Sequence, residues 1–495
     1  MAELPYRIVI GLEVHVQLLT KTKLFCGCST RFGLPPNSAT CPVCIGMPGV
    51  LPVMNRRAFD LSLRAALALN CEIATFTKWD RKNYYYPDLP KNYQISQYDL
   101  PFSHDGWLEI DTTAGRKRIG IIRAHLEEDA GKMLHDEHGT GKDSLVDLNR
   151  TGTPLLEIVS QPDLSSPEEA KAYLEEIRLL LREIGVSDCE MQEGSLRCDA
   201  NINIHVPQAD GAVIKTPIVE VKNLNSFRAV ERAMKYEAQR QYNEALHDSN
   251  YRLGQVSKAT AGWDENLGET KIQRRKEEAS DYRYLPEPDL VPVVVDAAWL
   301  ERARSAMGEL PSVQRVRLVE QYGLSAYDVG VLTQQGRAFV SDFEEVANRC
   351  GDSKAACNWM TNKVLASLKE KKEDYQTFRS NSELTPERLA GLIAEQKAAS
   401  LNKQAAEEVY NRMVNARVDA KTAIGQLGIK AVDAGALVEI VRRAIAANPK
   451  AVADFKAGKT KAAQAIKGAV MREAKGAVKP EIVEQLIVEE IQKTS

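Results

Sequence analysis

The 495-residue chain has no run approaching ~18 consecutive uncharged apolar residues, so it offers no candidate for a membrane-spanning helix. Aromatic residues make up only 6% and are scattered, which leaves nothing to form interfacial belts. The opening stretch, MAELPYRIVIGLEVHV, carries Glu3 early and has neither a basic leader, an apolar core segment nor a small-residue cleavage site; no secretory signal is read there, and a cytoplasmic location is expected. Charge of one sign is also lacking. With 65 Lys and Arg against 68 Asp and Glu the net charge is −3, so any contact with nucleic acid must come from a local patch. The common nucleotide motifs are missing. Gly139-Thr140-Gly141-Lys142 is followed by Asp143 where a phosphate-binding loop needs Ser or Thr, Asp136 replaces its earlier Gly, and Ser144 stands where a dinucleotide fingerprint has its third Gly. ATP, if used, is held by another scheme.

What is present points to several domains. The length exceeds what one hydrophobic core usually organises, while a 44% hydrophobic content is ordinary for globular folds, and two or three domains are expected. Residues 1–295 alternate strand-like and turn-like segments with a few helices, whereas the remainder reads as helix after helix rich in Ala, Leu, Glu and Lys. The change falls at Leu285-Pro286-Glu287-Pro288-Asp289-Leu290-Val291-Pro292, where three prolines remove donors and bias their neighbours away from helix. The expected fold class is α+β. An N-terminal α/β domain with mixed or antiparallel sheets (1–295) precedes an all-α middle domain (296–408) and a small helical tail (409–495). Asn55 caps a predicted helix that ends near Asn70, and Ser166-Pro167-Glu168-Glu169 starts another. Pro311-Ser312, Thr385-Pro386, Ser400-Leu401-Asn402 and Pro480 open helices in the second half. Between 450 and 480 seven lysines and one arginine stand against Asp454 and Glu473, a patch suited either to phosphate backbones or simply to a solvated helical surface.

The chemistry sits in the strands. Period-two alternation in Ile8–Gln17 puts Glu13, His15 and Gln17 on one face and Leu12, Val14 and Val16 on the other. Ile122, Ala124, Leu126 and Glu128 share a face, so Glu128 is expected to point toward the apolar side. Glu157 lies inside the aliphatic run Leu155–Val159, where an unpaired carboxylate would be very unfavourable. A third alternating run aligns Asp199, Asn201, Asn203 and His205. Carboxylates and an imidazole drawn together from separate strands suit a hard divalent cation such as Mg²⁺ and phosphoryl transfer; the alternative is structural ion pairing with Arg150 or Arg197. Cys26-Gly27-Cys28 and Cys41-Pro42-Val43-Cys44 form two thiolate knuckles of the kind that close a tetrahedral Zn²⁺ site. With four sulfur ligands such a site has no open position, so its expected role is structural. Cys71, Cys189, Cys198, Cys350 and Cys357 have no such partner and read as core thiols.

Seven runs taken together, GLEVHVQL, LPKNYQISQYD, HLEEDAGK, SLVDLNRTGTPLLEIVSQPD, EGSLRCDANI, VKNLNSF and DYRYLPEPDL, resemble the GatB family of tRNA-dependent amidotransferase subunits across the N-terminal 295 residues. The resemblance implies an ATP-dependent carbon–nitrogen ligase with glutamine as amide donor. Glu-tRNA(Gln) or Asp-tRNA(Asn) would be phosphorylated on the side-chain carboxylate, and ammonia would displace the phosphate to give Gln-tRNA or Asn-tRNA. An amidase partner, GatA, would release the ammonia and pass it through a tunnel, and a small partner, GatC, would wrap the pair. Residues 1–295 would be a cradle for the tRNA acceptor end. His15 and Glu128 would bind Mg²⁺ directly, with Glu13, Glu157 and Asp199 close by, and a YqeY-like tail would grip the tRNA through Lys459, Lys461, Lys467 and Arg472. Many family members lack the four cysteines, so zinc is expected to support the fold from Phe25 to Gly46 and not the reaction. A non-catalytic tRNA-binding scaffold and an ATP-dependent ligase acting on a free acid are the alternative readings.

Overall fold

A computed structural model describes residues 4–135, 143–275, 282–398, 401–429, 434–456, 463–473 and 480–493. The loop Gly139–Lys142 lies outside them. Contacts divide the chain into two units, Met1–Pro311 and Ser312–Ser495.

The first unit is built on a ten-stranded mixed sheet. Its centre is the strand Arg7–Gln17, which pairs antiparallel on one side with Pro154–Ser160 and on the other with Leu196–Pro207. Gly115–Glu128 and Ser103–Thr112 continue the sheet beyond Pro154–Ser160; Val219–Lys222 and Ala259–Asp264, a parallel pair, continue it beyond Leu196–Pro207. Strand alternation then assigns the faces. Leu12, Val14 and Val16 are fully buried in one core with Leu156, Ile158, Leu126 and the apolar stripes of the helices Pro167–Glu183 and Phe227–His247. Ser166 caps the first of these helices through Glu169 N and Ser226 caps the second through Ala229 N. A three-stranded sheet of Leu285–Pro286, Asp80–Asn83 and Tyr93–Ser96 stands beside the far end of Gly115–Glu128.

One alternation is broken. Ile122, expected inward with Ala124 and Leu126, is 38% exposed, while Ile119 and Ile121 are buried. The pairing skips Ile122, running from Val159↔Arg123 to Ser160↔Ile121; this bulge turns the strand by one residue and exchanges its faces.

The second unit is helical throughout its described residues. Pro311–Tyr322, Pro386–Ala398, Lys403–Ala416 and Pro480–Lys493 start where their caps and prolines place them, with Asn402 Oδ1 accepting from Ala405 N. It holds two separate cores, one from Leu318 to Ala423 and one from Leu437 to Ile491.

Both expected boundaries move C-terminally. The division near 295 falls at Pro311/Ser312 because the helix Ala297–Ser305 belongs to the first core: Trp299 packs on Phe59 at 5.2 Å between ring centres and donates from Nε1 to Asp60. The division at 408/409 would cut the helix Lys403–Ala416, whose Val409, Tyr410, Met413 and Val414 fill the middle core; the tail core begins at Leu437. Trp299→Ala is therefore expected to cost the first unit roughly 3 kcal/mol, read by chemical denaturation as a shifted first transition. An unchanged transition would return the helix to the second unit.

Candidate active site and metal centre

The polar face of the central strands carries a row of titratable groups. Register places His15 opposite Glu157 and Glu157 opposite His125, and the three side chains point to the same side. His15 Nε2 lies 3.4 Å from Glu157 Oε2, and His125 Nε2 lies 3.5 Å from the same oxygen and 3.6 Å from Glu127 Oε2. Arg123 Nη2 stands 4.0 Å from Glu157 Oε1, and Ser96 Oγ donates to Glu127 Oε2 at 3.1 Å. Glu127 and Glu157 are buried.

Burying two carboxylates side by side favours their protonated forms, and the neighbours reverse this. Burial pushes Glu157 up, but His125 and then His15 pull it well below the usual carboxylate range. Glu127 is likewise raised by burial and lowered further by His125. Burial lowers His15, yet its contact with Glu157 more than offsets this and holds the imidazole above its ordinary value. Lys82 completes the balance. Burial works against its charge, but Glu127, Tyr284 and Glu157 hold the ammonium above its usual range.

The ligand atoms of His15, Glu127 and Glu157 all lie within 4.8 Å of one another. Two carboxylates and one imidazole form a donor set suited to a divalent cation. Glu128 stands apart from this set. As the alternation predicts, it faces the apolar side, the side opposite His15, and its carboxylate is taken up by Lys91 Nζ and by Ile95 N at 2.9 Å. Of the two glutamates at this strand end it is Glu127, not the expected Glu128, whose carboxylate clusters with His15.

The remaining expected residues surround the row. Glu13 accepts from Asn201 Nδ2 at 2.8 Å and lies opposite Asp199 in the sheet; Asp199 pairs with Lys222 Nζ. Arg150 and Arg197, the expected structural partners of the glutamates, both turn to Asp129, at 3.5 and 2.7 Å. His125, Glu127, Lys82, Arg123 and Asp129 are not singled out by the sequence pattern. The motif HLEED contains three of them, but its double glutamate does not reveal which one shares the face of His15 until the pairing partner of the strand is known.

Cys26, Cys28, Cys41 and Cys44 form a second cluster with all four ligand atoms within 4.8 Å. The Cys26–Cys44 and Cys41–Cys44 sulfur separations are 3.6 and 3.7 Å. Four sulfurs at about 2.3 Å from a shared tetrahedral centre stand about 3.8 Å apart, so the thiols fit a metal ion. Cys44 is lowered to about 4, first by the Cys26 hydrogen bond and also by the fully buried Lys23, whose Nζ lies 3.3 Å from Sγ. Cys28 is pushed up to about 11, chiefly by burial. In the tail, Lys467 pairs with Glu484 at 2.7 Å and Arg472 lies on the exposed surface of Ala463–Glu473; Lys459 and Lys461 lie outside the described residues. No helix among the described residues is long and apolar enough to cross a membrane.

Residues 8–301 match the family model described as the GatB/GatE catalytic domain, and residues 341–491 match the one described as the GatB domain. Among curated proteins, the chain is 49% identical to the B subunit of the aspartyl/glutamyl-tRNA(Asn/Gln) amidotransferase of Rhodopirellula baltica, covering 99% of this chain and 97% of that one. Identities to the proteins of the same name from Moorella thermoacetica and Carboxydothermus hydrogenoformans are 47% and 46%, covering 98% and 99% of this chain and 100% and 99% of those.

Lys91→Met leaves the Glu128 carboxylate buried without its cation, and the expected loss is about 3 kcal/mol of stability. Urea denaturation checks this; adding Glu128→Gln should recover part of the loss, and no recovery would show that Lys91 acts through its stem alone.

Proposed function

We propose, from the premise that the chain belongs to the GatB family of tRNA-dependent amidotransferase subunits, that its first unit carries the kinase and transamidase site for misacylated tRNA. The observation that supports this most directly is the row His15, Glu157, His125 and Glu127, four titratable groups on one face of three adjacent strands. The reaction is ATP-dependent conversion of Glu-tRNA(Gln), Asp-tRNA(Asn) or both to the amidated forms, through an acyl phosphate attacked by ammonia. Ammonia comes from glutamine hydrolysed by the GatA partner, GatC completes a heterotrimer, and the assembly works in the cytoplasm.

His15, Glu127 and Glu157 would hold Mg²⁺. The ion supplies charge neutralisation for the phosphates of ATP and the developing acyl phosphate. The chain's own residues prepare the site. His125 and Arg123 hold Glu157 in place, Ser96 fixes Glu127, and Lys82 keeps a positive charge beside both carboxylates, where an anionic phosphate has to settle. Burial of the glutamates keeps bulk water from the acyl phosphate, which would otherwise hydrolyse. Glu13 and Asp199, tied to Asn201 and Lys222, border the row and orient its first strand. Lys467 and Arg472, with Lys459 and Lys461, would contact the tRNA body, and Zn²⁺ on the four cysteines would be structural.

Three outcomes are expected. Glu157→Gln, assayed in the assembled complex with [¹⁴C]Glu-tRNA(Gln), lowers ATP-dependent conversion at least ~100-fold while tRNA affinity stays within about twofold. Loss of tRNA binding in parallel with activity would support a scaffold role instead.

His15 is held above its ordinary value, so the stabilisation its charged form gives is complete below about pH 6.5 and is lost as pH rises through the raised value. A metal takes the neutral ring, so Mg²⁺ binding releases a proton and tightens as pH rises through that window. Calorimetry in two buffers of different ionisation enthalpy reads the release, which His15→Gln removes; equal heats in both buffers would contradict it.

Elemental analysis gives one zinc per chain, and Cys41→Ser lowers the melting temperature while retaining a substantial part of the activity. Complete inactivation of a folded Cys41→Ser protein would assign zinc a chemical role.

A further inference from the structure

A run of tyrosines starts beside the glutamate row and ends in solvent. Lys82 Nζ, the cation raised by Glu127 and Glu157, lies 5.8 Å from the ring centre of Tyr84 and 4.9 Å from that of Tyr282. Tyr84 meets Tyr282 edge-on at 6.1 Å, Tyr282 meets Tyr284 edge-on at 6.1 Å, and Tyr284 stacks on Tyr98 at 4.0 Å with only 7° between the planes. Tyr98 is 60% exposed. Aromatic pairs in a core usually meet edge-on or offset; a nearly parallel pair whose outer ring faces water presents a flat surface that can extend the stack.

The backbone is arranged to hold this strip. Arg283, between Tyr282 and Tyr284, has φ +45°, a conformation that ordinary residues rarely adopt and that persists only when its surroundings enforce it. Asn83 provides that enforcement: its N donates to Tyr282 O at 2.9 Å and its Nδ2 donates to Arg283 O at 2.6 Å. On the other side Tyr98 N donates to Asp80 Oδ2 at 3.0 Å.

We propose that this strip stacks the unpaired bases at the 3′ end of the RNA whose acyl group lies at the His15–Glu157 row, with Tyr98 as the outermost platform. The inference rests on the functional reading above. An unpaired purine could also come from ATP, but one adenine needs one ring. Here four rings are joined by three ring contacts beside Lys82, with Tyr98 exposed at one end, an aromatic surface that fits several nucleotides of a strand. Tyr98 touches no reacting atom; it positions the substrate.

The test uses the complex purified with its partner proteins, carrying Tyr98→Ala or Tyr98→Trp. Tyr98→Ala should raise KM for misacylated tRNA about tenfold, with kcat and KM for ATP unchanged, and Tyr98→Trp should restore the wild-type value. Trimming all the unpaired 3′ nucleotides from deacylated tRNA should weaken binding to wild type more than binding to Tyr98→Ala, whereas trimming the terminal adenosine alone, which lies nearest the glutamates, should weaken binding to both alike. A raised KM for ATP alone would give the ring to the nucleotide and overturn the assignment to RNA, and unchanged values for both substrates would overturn stacking altogether. A wild-type complex inactive on misacylated tRNA would overturn the functional reading itself, whereas an active wild type with an indifferent Tyr98→Ala sinks only the strip.

Discussion

Two carboxylates buried side by side cannot both stay charged unless the surrounding cations are fixed in advance, and this requirement organises the N-terminal unit. Glu127 and Glu157 stay charged because two histidines, Lys82 and Arg123 converge on them from Arg7–Gln17, Gly115–Glu128 and Asp80–Asn83. Each partner arrives through a different part of the fold: His15 and His125 through sheet register, Lys82 through the small sheet beside it. A shift of one residue in any of the three central strands would turn its contribution into the helical core and leave a buried charge unpaired. The apolar face supplies the specification. Leu12, Val14, Val16, Leu126, Leu156 and Ile158 can be buried together in only one register, and that register forces the polar row into line.

The same strand end solves the problem twice. Glu127 and Glu128 are adjacent, both buried, and point to opposite sides of the sheet. Glu127 joins the row beside His15, whereas Glu128 accepts on Oε1 from Lys91 and from a backbone N–H. One carboxylate thus shares a ligand cluster with His15, while its neighbour gives Oε1 to Lys91 and Ile95 N. The difference comes from strand parity and not from residue type.

Much of this is legible in the sequence, and the gaps have identifiable causes. Alternation in Arg7–Gln17 and the caps at Asn55, Ser166 and Asn402 depend on neighbours within a few residues, so local chemistry specifies them. Ile122 fails because a bulge is a property of two strands paired together, and its partner lies 37 or 38 positions further along the chain. Glu127 escapes notice for a related reason: counting forward from Ile122 assigns only Glu128 to a buried face, while the strand end is covered on both. Lys82 sits on a four-residue strand, and Tyr84, Tyr98, Tyr282 and Tyr284 lie in the segments flanking strands of two and four residues, all too short to show any period. The domain boundaries follow the same rule, since whether Trp299 caps the first core or opens the second depends on Phe59 and Asp60, some 240 residues away.

The cysteine knuckles are physically continuous with the strand end that bears both glutamates. Gly46 ends the short helix Pro42–Ile45 with φ +67°, and a Cβ there would meet Lys91 Cγ at 2.6 Å. The left-handed turn and the close approach both require glycine. Lys91 lays its stem against that turn and carries its ammonium to Glu128, while Lys23 reaches the thiol of Cys44 from the segment following the strand of His15. A metal that tightens the four thiolates would therefore stiffen the bed under Lys91 and, through Glu128, the end of the strand that presents Glu127. Such a contribution is mechanical. It needs no open coordination position, and apolar packing could supply the same stiffness where the cysteines are replaced.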